Sequence, residues 1–86
     1  MTQRLCGRVA IVTGGSSGIG RAITRKFASH GAIVVVADIT TDAIEGGRPV
    51  CDIATEEGGK AVFFRTDVSI ARDVDAMVAE TVSRFG

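Results

Sequence analysis

Residues Val9-Ala10-Ile11-Val12-Thr13-Gly14-Gly15-Ser16-Ser17-Gly18-Ile19-Gly20 constrain the fold of this chain more than any other stretch. Val9 to Val12 are four apolar residues without alternation, which reads as a strand of a parallel sheet covered on both faces. Gly14, Gly18 and Gly20 then remove side chains where backbone could touch a ligand. Ile19, Ala22, Ile23 and Phe27 recur at helical spacing. A strand that runs through such a turn into a helix aims the positive end of the helix dipole at the turn. That end suits a pyrophosphate.

The rest of the chain continues the same alternation. The first helix is expected from Gly18 to His30, with Gly31 in the left-handed place that follows a helix and His30 a helix-end residue. Arg21, Arg25 and Lys26 read as its solvated face, with Arg21 close enough to the helix start to contribute to an anion site. Ala32 to Ala37 is β-branched and uninterrupted, hence a second buried strand, ended by Asp38. Ile39 to Arg48 is polar, contains Gly46-Gly47 and reads as a loop; Pro49 then opens a short helix to Glu57. Ala61 to Thr66 is a third strand ended by Asp67. Ser69 is the expected N-cap of a helix from Ile70 to Phe85, whose stripe is Val74, Met77, Val78, Val82 and Phe85. Met1 to Leu5 is a polar lead-in.

The order β-α-β-α-β-α implies a parallel sheet with right-handed crossovers and strand order 3-2-1. The expected fold class is therefore α/β, the first half of a doubly wound, three-layer Rossmann-type fold. In that fold the strand ends converge on one crevice. Asp38, closing the second strand beside the first turn, is placed to accept hydrogen bonds from ribose hydroxyls, or is simply a turn residue. Asp67, with Val68 next to it, could meet an adenine edge or could cap the entry to the last helix.

Composition narrows the partners. Ten basic and ten acidic residues give a formal charge of zero, which speaks against nucleic acid or an anionic membrane. Trp and Tyr are both absent, so no aromatic platform exists for stacked bases. An apolar fraction of 45% is high for so short a chain and points to surface covered by something else. The longest aliphatic run, Ala32 to Ala37, is far too short to span a bilayer, and no signal-peptide pattern opens the chain. Cys6 and Cys51 lack metal-ligand spacing and read as buried reduced thiols, not a disulfide. The expectation is a reduced, cytoplasmic protein without a metal site.

Thr13-Gly14-Gly15-Ser16-Ser17-Gly18-Ile19-Gly20 resembles the TGxxxGIG signature of the short-chain dehydrogenase/reductase family, and Asp38 and Thr66-Asp67-Val68-Ser69 match the same family. The resemblance covers nearly the whole chain and is to the family's N-terminal, coenzyme-binding half. It implies that Gly14, Ser16, Ser17, Gly18, Ile19 and Gly20 line the pyrophosphate and adjoining sugars, that Asp38 holds the adenosine ribose, and that Asp67 and Val68 bound the adenine pocket. The loop Gly46-Gly47-Arg48-Pro49 departs from the family's commoner uninterrupted helix.

Charge favours NAD over NADP. A 2′-phosphate beside Asp38 would bring like charges to about 4 Å, costing up to roughly 4 kcal/mol at an effective dielectric of 20. Ser17 and Ile39 stand where the family's NADP binders carry a basic residue. The family's catalytic Tyr and Asn cannot be assigned, because the sequence contains neither residue. No catalytic residue is therefore named. Residues 1–86 are expected to form a partial NAD-binding domain of an oxidoreductase acting on an alcohol/carbonyl pair, lacking the catalytic half. Without a fourth strand, Val9 to Val12 would form an apolar edge that pairs with another chain, giving a homo-oligomer or edge-strand association. Two other readings stay open: a non-catalytic dinucleotide-binding or interaction module, and a methyltransferase fragment. The latter usually carries an acid ahead of the glycines, where Thr13 stands here.

Overall fold

A computed structural model describes residues 6–41 and 46–86. The expected lead-in of residues 1–5 and the middle of the loop, residues 42–45, lie outside the described residues. In chain order the elements are β1 (Val9–Thr13), α1 (Gly18–Ser29), β2 (Ile33–Asp38), α2 (Val50–Glu56), β3 (Lys60–Arg65) and α3 (Ala71–Phe85). The three strands form one parallel sheet with β2 in the middle, which is the expected 3-2-1 order. Val12 lies beside Val36, and Val36 beside Phe63.

Alternation along β2 divides the core into two layers. Val34 and Val36 face α1 and α2, packing with Val12, Ala28, Val50 and Ala54. Val35 and Ala37 face the other way, against Met77, Val62, Phe64 and Phe85. Helices thus cover both faces, and Val34 to Ala37 are completely buried. This explains why β2 reads as an unbroken apolar run. The α1–α2 layer is tightened by Gly59, where an added Cβ would stand 2.8 Å from the Ala28 Cβ.

β1 departs from the doubly covered expectation. Only Val12 is buried; Val9 and Ile11 are 37% and 40% exposed. Their side of the strand is the α3 side, but the buried cluster that α3 packs into is built from residues of β2 and β3. The same geometry leaves Val78 and Val82 of the expected core stripe exposed, with Met77 alone fully buried. Cys6 is also exposed and Cys51 half-buried, so the expectation of two buried thiols fails for Cys6; both are free.

The boundaries follow local chemistry. Gly31 has φ +92° after α1, and Gly46 and Gly47 have φ +85° and +90°, which no helix accommodates. Pro49 is the N-cap of α2 and not its first residue. Ser69 does not cap α3: Ile70 holds that place. The reason is Asp67, whose carboxylate takes both the Ser69 amide (3.0 Å) and its hydroxyl (2.6 Å), turning Ser69 back toward the strand end.

Candidate dinucleotide site at the carboxyl ends of the strands

The turn between β1 and α1 owes its shape to three glycines. Gly14 has φ +67° and Gly18 φ +56°, conformations that residues with a Cβ rarely adopt. An added Cβ at either would meet nothing within 4 Å, so both expose backbone to open space. Gly20 does the opposite. A Cβ there would stand 2.4 Å from the Gly14 carbonyl oxygen, so only glycine lets the first turn of α1 sit this close to the end of β1. Gly15, which the motif reading passed over, is nearly as confined: its Cβ would stand 3.0 Å from both the Thr24 hydroxyl and a Val36 methyl.

The helix end that results is suited to an anion. The first helical bond runs from the Arg21 amide to the Ser17 carbonyl at 3.0 Å, so the amides ahead of it lie at the positive pole. Ser17 makes no side-chain cap, and no acidic residue occupies the first turn. Ile19, beside this pole, is 80% exposed.

Asp38 closes β2 directly against the turn. One carboxylate oxygen accepts the Ser16 amide at 3.2 Å and the other accepts the Ile39 amide at 2.7 Å. Two carboxylate oxygens offer about four acceptor sites, so two remain for a ligand. Ser16 itself is buried, and its hydroxyl donates to the Thr40 carbonyl at 2.6 Å.

The end of β3 completes the crevice. The Thr66 amide donates to the Asp38 carbonyl at 2.8 Å, carrying the sheet pairing past the last strand residue. The Ser69 hydroxyl, then its amide, and Arg65 hold the Asp67 carboxyl below the usual carboxylate range, so it is charged at neutral pH. A cleft of about 230 Å³ is lined by Gly14, Ala37, Asp38, Ile39, Thr66, Asp67 and Val68. The structure therefore brings together Gly14, Asp38, Ile39, Asp67 and Val68 in one cleft, with Ser17, Gly18, Ile19 and Gly20 at the adjoining helix start. Ala37 and Thr66 were missed; each directly precedes a strand-closing aspartate, and that position was signal enough. A larger hollow of about 360 Å³ lies at the other ends of the strands, lined by residues including Cys6, Gly31, Gly59 and Lys60. Open parallel sheets bind ligands outside the carboxyl ends of their strands, so the smaller cleft is the candidate site.

Arg21 and Arg48 also went unread as a pair. The Arg21 guanidinium donates to the Arg48 carbonyl at 2.8 Å and lies 3.5 Å from the Ser16 carbonyl. Arg25, expected on the solvated face of α1, is exposed and pairs with Glu57 at 2.8 Å; Arg48, in the loop before α2, pairs with Glu56. Among the described residues no group of His, Cys, Asp and Glu could hold a metal ion, and no helix is long and apolar enough to cross a membrane.

Comparison with known proteins matches this geometry to a family. Residues 8–86 match the family model for short chain dehydrogenase. The chain is 45% identical over 82 residues to 2,5-dichloro-2,5-cyclohexadiene-1,4-diol dehydrogenase of Sphingobium indicum, covering 95% of this chain and 30% of that protein. It is 49% identical over 86 residues to the sex determination protein tasselseed-2 of Zea mays, covering 100% of this chain and 24% of that protein. Among solved structures it superposes on a citronellol catabolism dehydrogenase of Pseudomonas aeruginosa with a TM-score of 0.88, at 29% identity, over 100% of this chain and 35% of the other. It superposes on a hydroxysteroid dehydrogenase from Escherichia coli with a TM-score of 0.85, at 35% identity, over 99% of this chain and 34% of the other. The chain thus spans about a third or less of the curated relatives it matches. With the glycine turn, the strand-closing aspartates and the parallel sheet all accounted for over residues 8–86, the chain belongs to the short-chain dehydrogenase family.

Proposed function

We propose that residues 1–86 are the coenzyme-binding portion of an NAD-dependent oxidoreductase that interconverts an alcohol and a carbonyl compound. The observation that carries this reading is the contact of Asp38 with Ser16, which sets a strand-closing acid beside the glycine turn. The residues present fit a dinucleotide: space beside the Gly14 and Gly18 α-carbons, a helix start with no acidic residue in its first turn, and spare acceptor sites on Asp38.

In this reading Gly14, Ser16, Ser17, Gly18, Ile19 and Gly20 hold the diphosphate and adjoining sugars. Asp38 accepts the adenosine ribose hydroxyls, and Ile39, Asp67 and Val68 bound the adenine. The bound dinucleotide supplies the hydride donor or acceptor. Asp38 also supports NAD over NADP, since its carboxylate opposes a 2′-phosphate and neither Ser17 nor Ile39 offsets that charge. The reaction itself draws on residues outside this sequence, because the Tyr that the family resemblance implies as general acid/base is absent from it. Free Cys6 and Cys51 support a reducing, cytoplasmic setting. The edge position of β1 in the sheet of the described residues supports pairing with a second copy of this chain when the 86 residues stand alone.

Calorimetric titration of the chain with NAD, NADP and S-adenosylmethionine tests the proposal. NAD binding tighter than NADP, without turnover of any alcohol, is the expected result. Tighter binding of the methyl donor would overturn it in favour of a methyltransferase.

A further inference from the structure

Each polar group of the Ser16 backbone and side chain has a different partner. Its amide donates to Asp38, its hydroxyl donates to the Thr40 carbonyl, and its carbonyl faces a guanidinium nitrogen of Arg21. The other terminal nitrogen of that guanidinium donates to the Arg48 carbonyl at 2.8 Å. Thr40 and Arg48 stand near the two described ends of the connection between β2 and α2. Both ends are therefore tied to the glycine turn, one through Ser16 and the other through Arg21.

We propose that Arg21 is a positioning residue for the adenosine half of the cofactor, acting through Ser16 and the Arg48 carbonyl to hold Asp38 and Ile39 in place. The inference rests on the NAD reading above and deepens it. Three observations carry it. One terminal guanidinium nitrogen donates to the Arg48 carbonyl while the other faces the Ser16 carbonyl, a two-pronged contact that suits a planar fork and not a point charge. Gly47, with φ +90°, takes a left-handed backbone conformation that favours glycine immediately before the Arg48 carbonyl. The Arg48 side chain is turned to Glu56, so Arg48 contributes its carbonyl to the latch and not its charge.

The chemistry separates this role from direct phosphate binding. If Arg21 orients Asp38, its loss weakens the ligand that gains from Asp38 and spares the one Asp38 opposes. If it touches phosphate as a charge, its loss weakens NADP at least as much as NAD, and lysine replaces it.

The test is titration of the full chain and its variants R21M, R21K and R25A with NAD and NADP, with circular dichroism confirming the fold. We expect R21M to bind NAD about five- to tenfold more weakly, the worth of one or two hydrogen bonds. NADP changes by less than about twofold, so the preference narrows by nearly the same factor. R21K, which keeps the charge but not the fork, does not restore the preference. R25A, which removes an arginine of the same helix that pairs with Glu57 and lies outside the latch, leaves both constants within about twofold. An unchanged NAD/NADP ratio in R21M, an equal or larger loss of NADP affinity, or full rescue by R21K overturns the inference while leaving NAD binding by the parent chain intact. Failure of the parent chain to bind NAD sinks the underlying reading and this inference together. Should R21M unfold, R21Q, which retains a planar donor pair, is read by the same ratio.

Discussion

The Ser16 amide donates to a carboxylate oxygen of Asp38 at 3.2 Å, across 22 positions of sequence. Through this bond and the Gly14 amide's bond to the Ala37 carbonyl at 2.8 Å, the end of the central strand sets the path of the turn that opens α1. Asp38 consequently has two tasks, shaping the turn and offering acceptors to a ligand, and the two separate under substitution.

Asp38→Asn keeps one oxygen but sets an NH2 group against either the Ser16 or the Ile39 amide. Loss of a charged acceptor costs about 1.5–3 kcal/mol. Urea denaturation is expected to show destabilisation at the lower end of that range. NAD binding by calorimetry weakens by roughly tenfold or more, and NADP binding improves relative to it.

Gly20→Ala forces a Cβ to 2.4 Å from the Gly14 carbonyl oxygen, so the start of α1 must move off the end of β1. Overpacking against backbone costs about 1–3 kcal/mol. The melting temperature falls accordingly, and NAD affinity falls further than the loss of stability accounts for. Gly58→Ala, at a site where a Cβ meets nothing within 4 Å, serves as the control for backbone strain alone, since Gly58 has φ +90°.

Asp67 provides a pH signature. Its carboxyl is held below the ordinary aspartate range by the Ser69 hydroxyl, the Ser69 amide and Arg65. The unfolded chain therefore takes up this proton more readily than the folded one, so the contribution to stability is present above the unfolded value of about 3.9 and is lost as pH falls through the lower folded value. Carboxyl NMR titration should find Asp67 below the ordinary aspartate range. Ser69→Ala, by deleting the largest cause, should move it back toward the ordinary range.

Ile11→Lys places a charge on the exposed α3 side of β1 without disturbing Val12 on the buried side. Sedimentation velocity across a concentration series should show self-association of the parent chain and less of it in the variant. Stability changes by no more than about 0.5 kcal/mol, as for other surface substitutions. A parent chain that stays monomeric at every concentration would refute the proposed edge pairing.

Much of the fold was legible because its signals are local. The unbroken run in β2 declares a strand covered twice, and the glycines on either side mark where backbone turns. The aspartates that close β2 and β3 could be placed from strand order alone, and they do meet in one cleft. What could not be read depends on partners distant in sequence. Nothing local to Arg21 shows that Arg48, 27 positions away, offers it a carbonyl. Ser69 has the composition of a cap, but Asp67 competes for its donors and wins at shorter range. The α3 stripe has core periodicity throughout, yet only Met77 is fully covered, since periodicity records which face is apolar and not how much sheet lies beneath it.

The central position of β2 carries a further consequence. Its amides, paired on both sides and sealed above and below, should be the slowest in the molecule to exchange with deuterium, whereas those of β1 are shielded along one flank only. The cleft draws Asp38 from the end of the former and Gly14 from the end of the latter. A bound molecule reaching from one to the other would join the firmest strand to an edge strand, and its mark on the chain would be a rise in protection along β1.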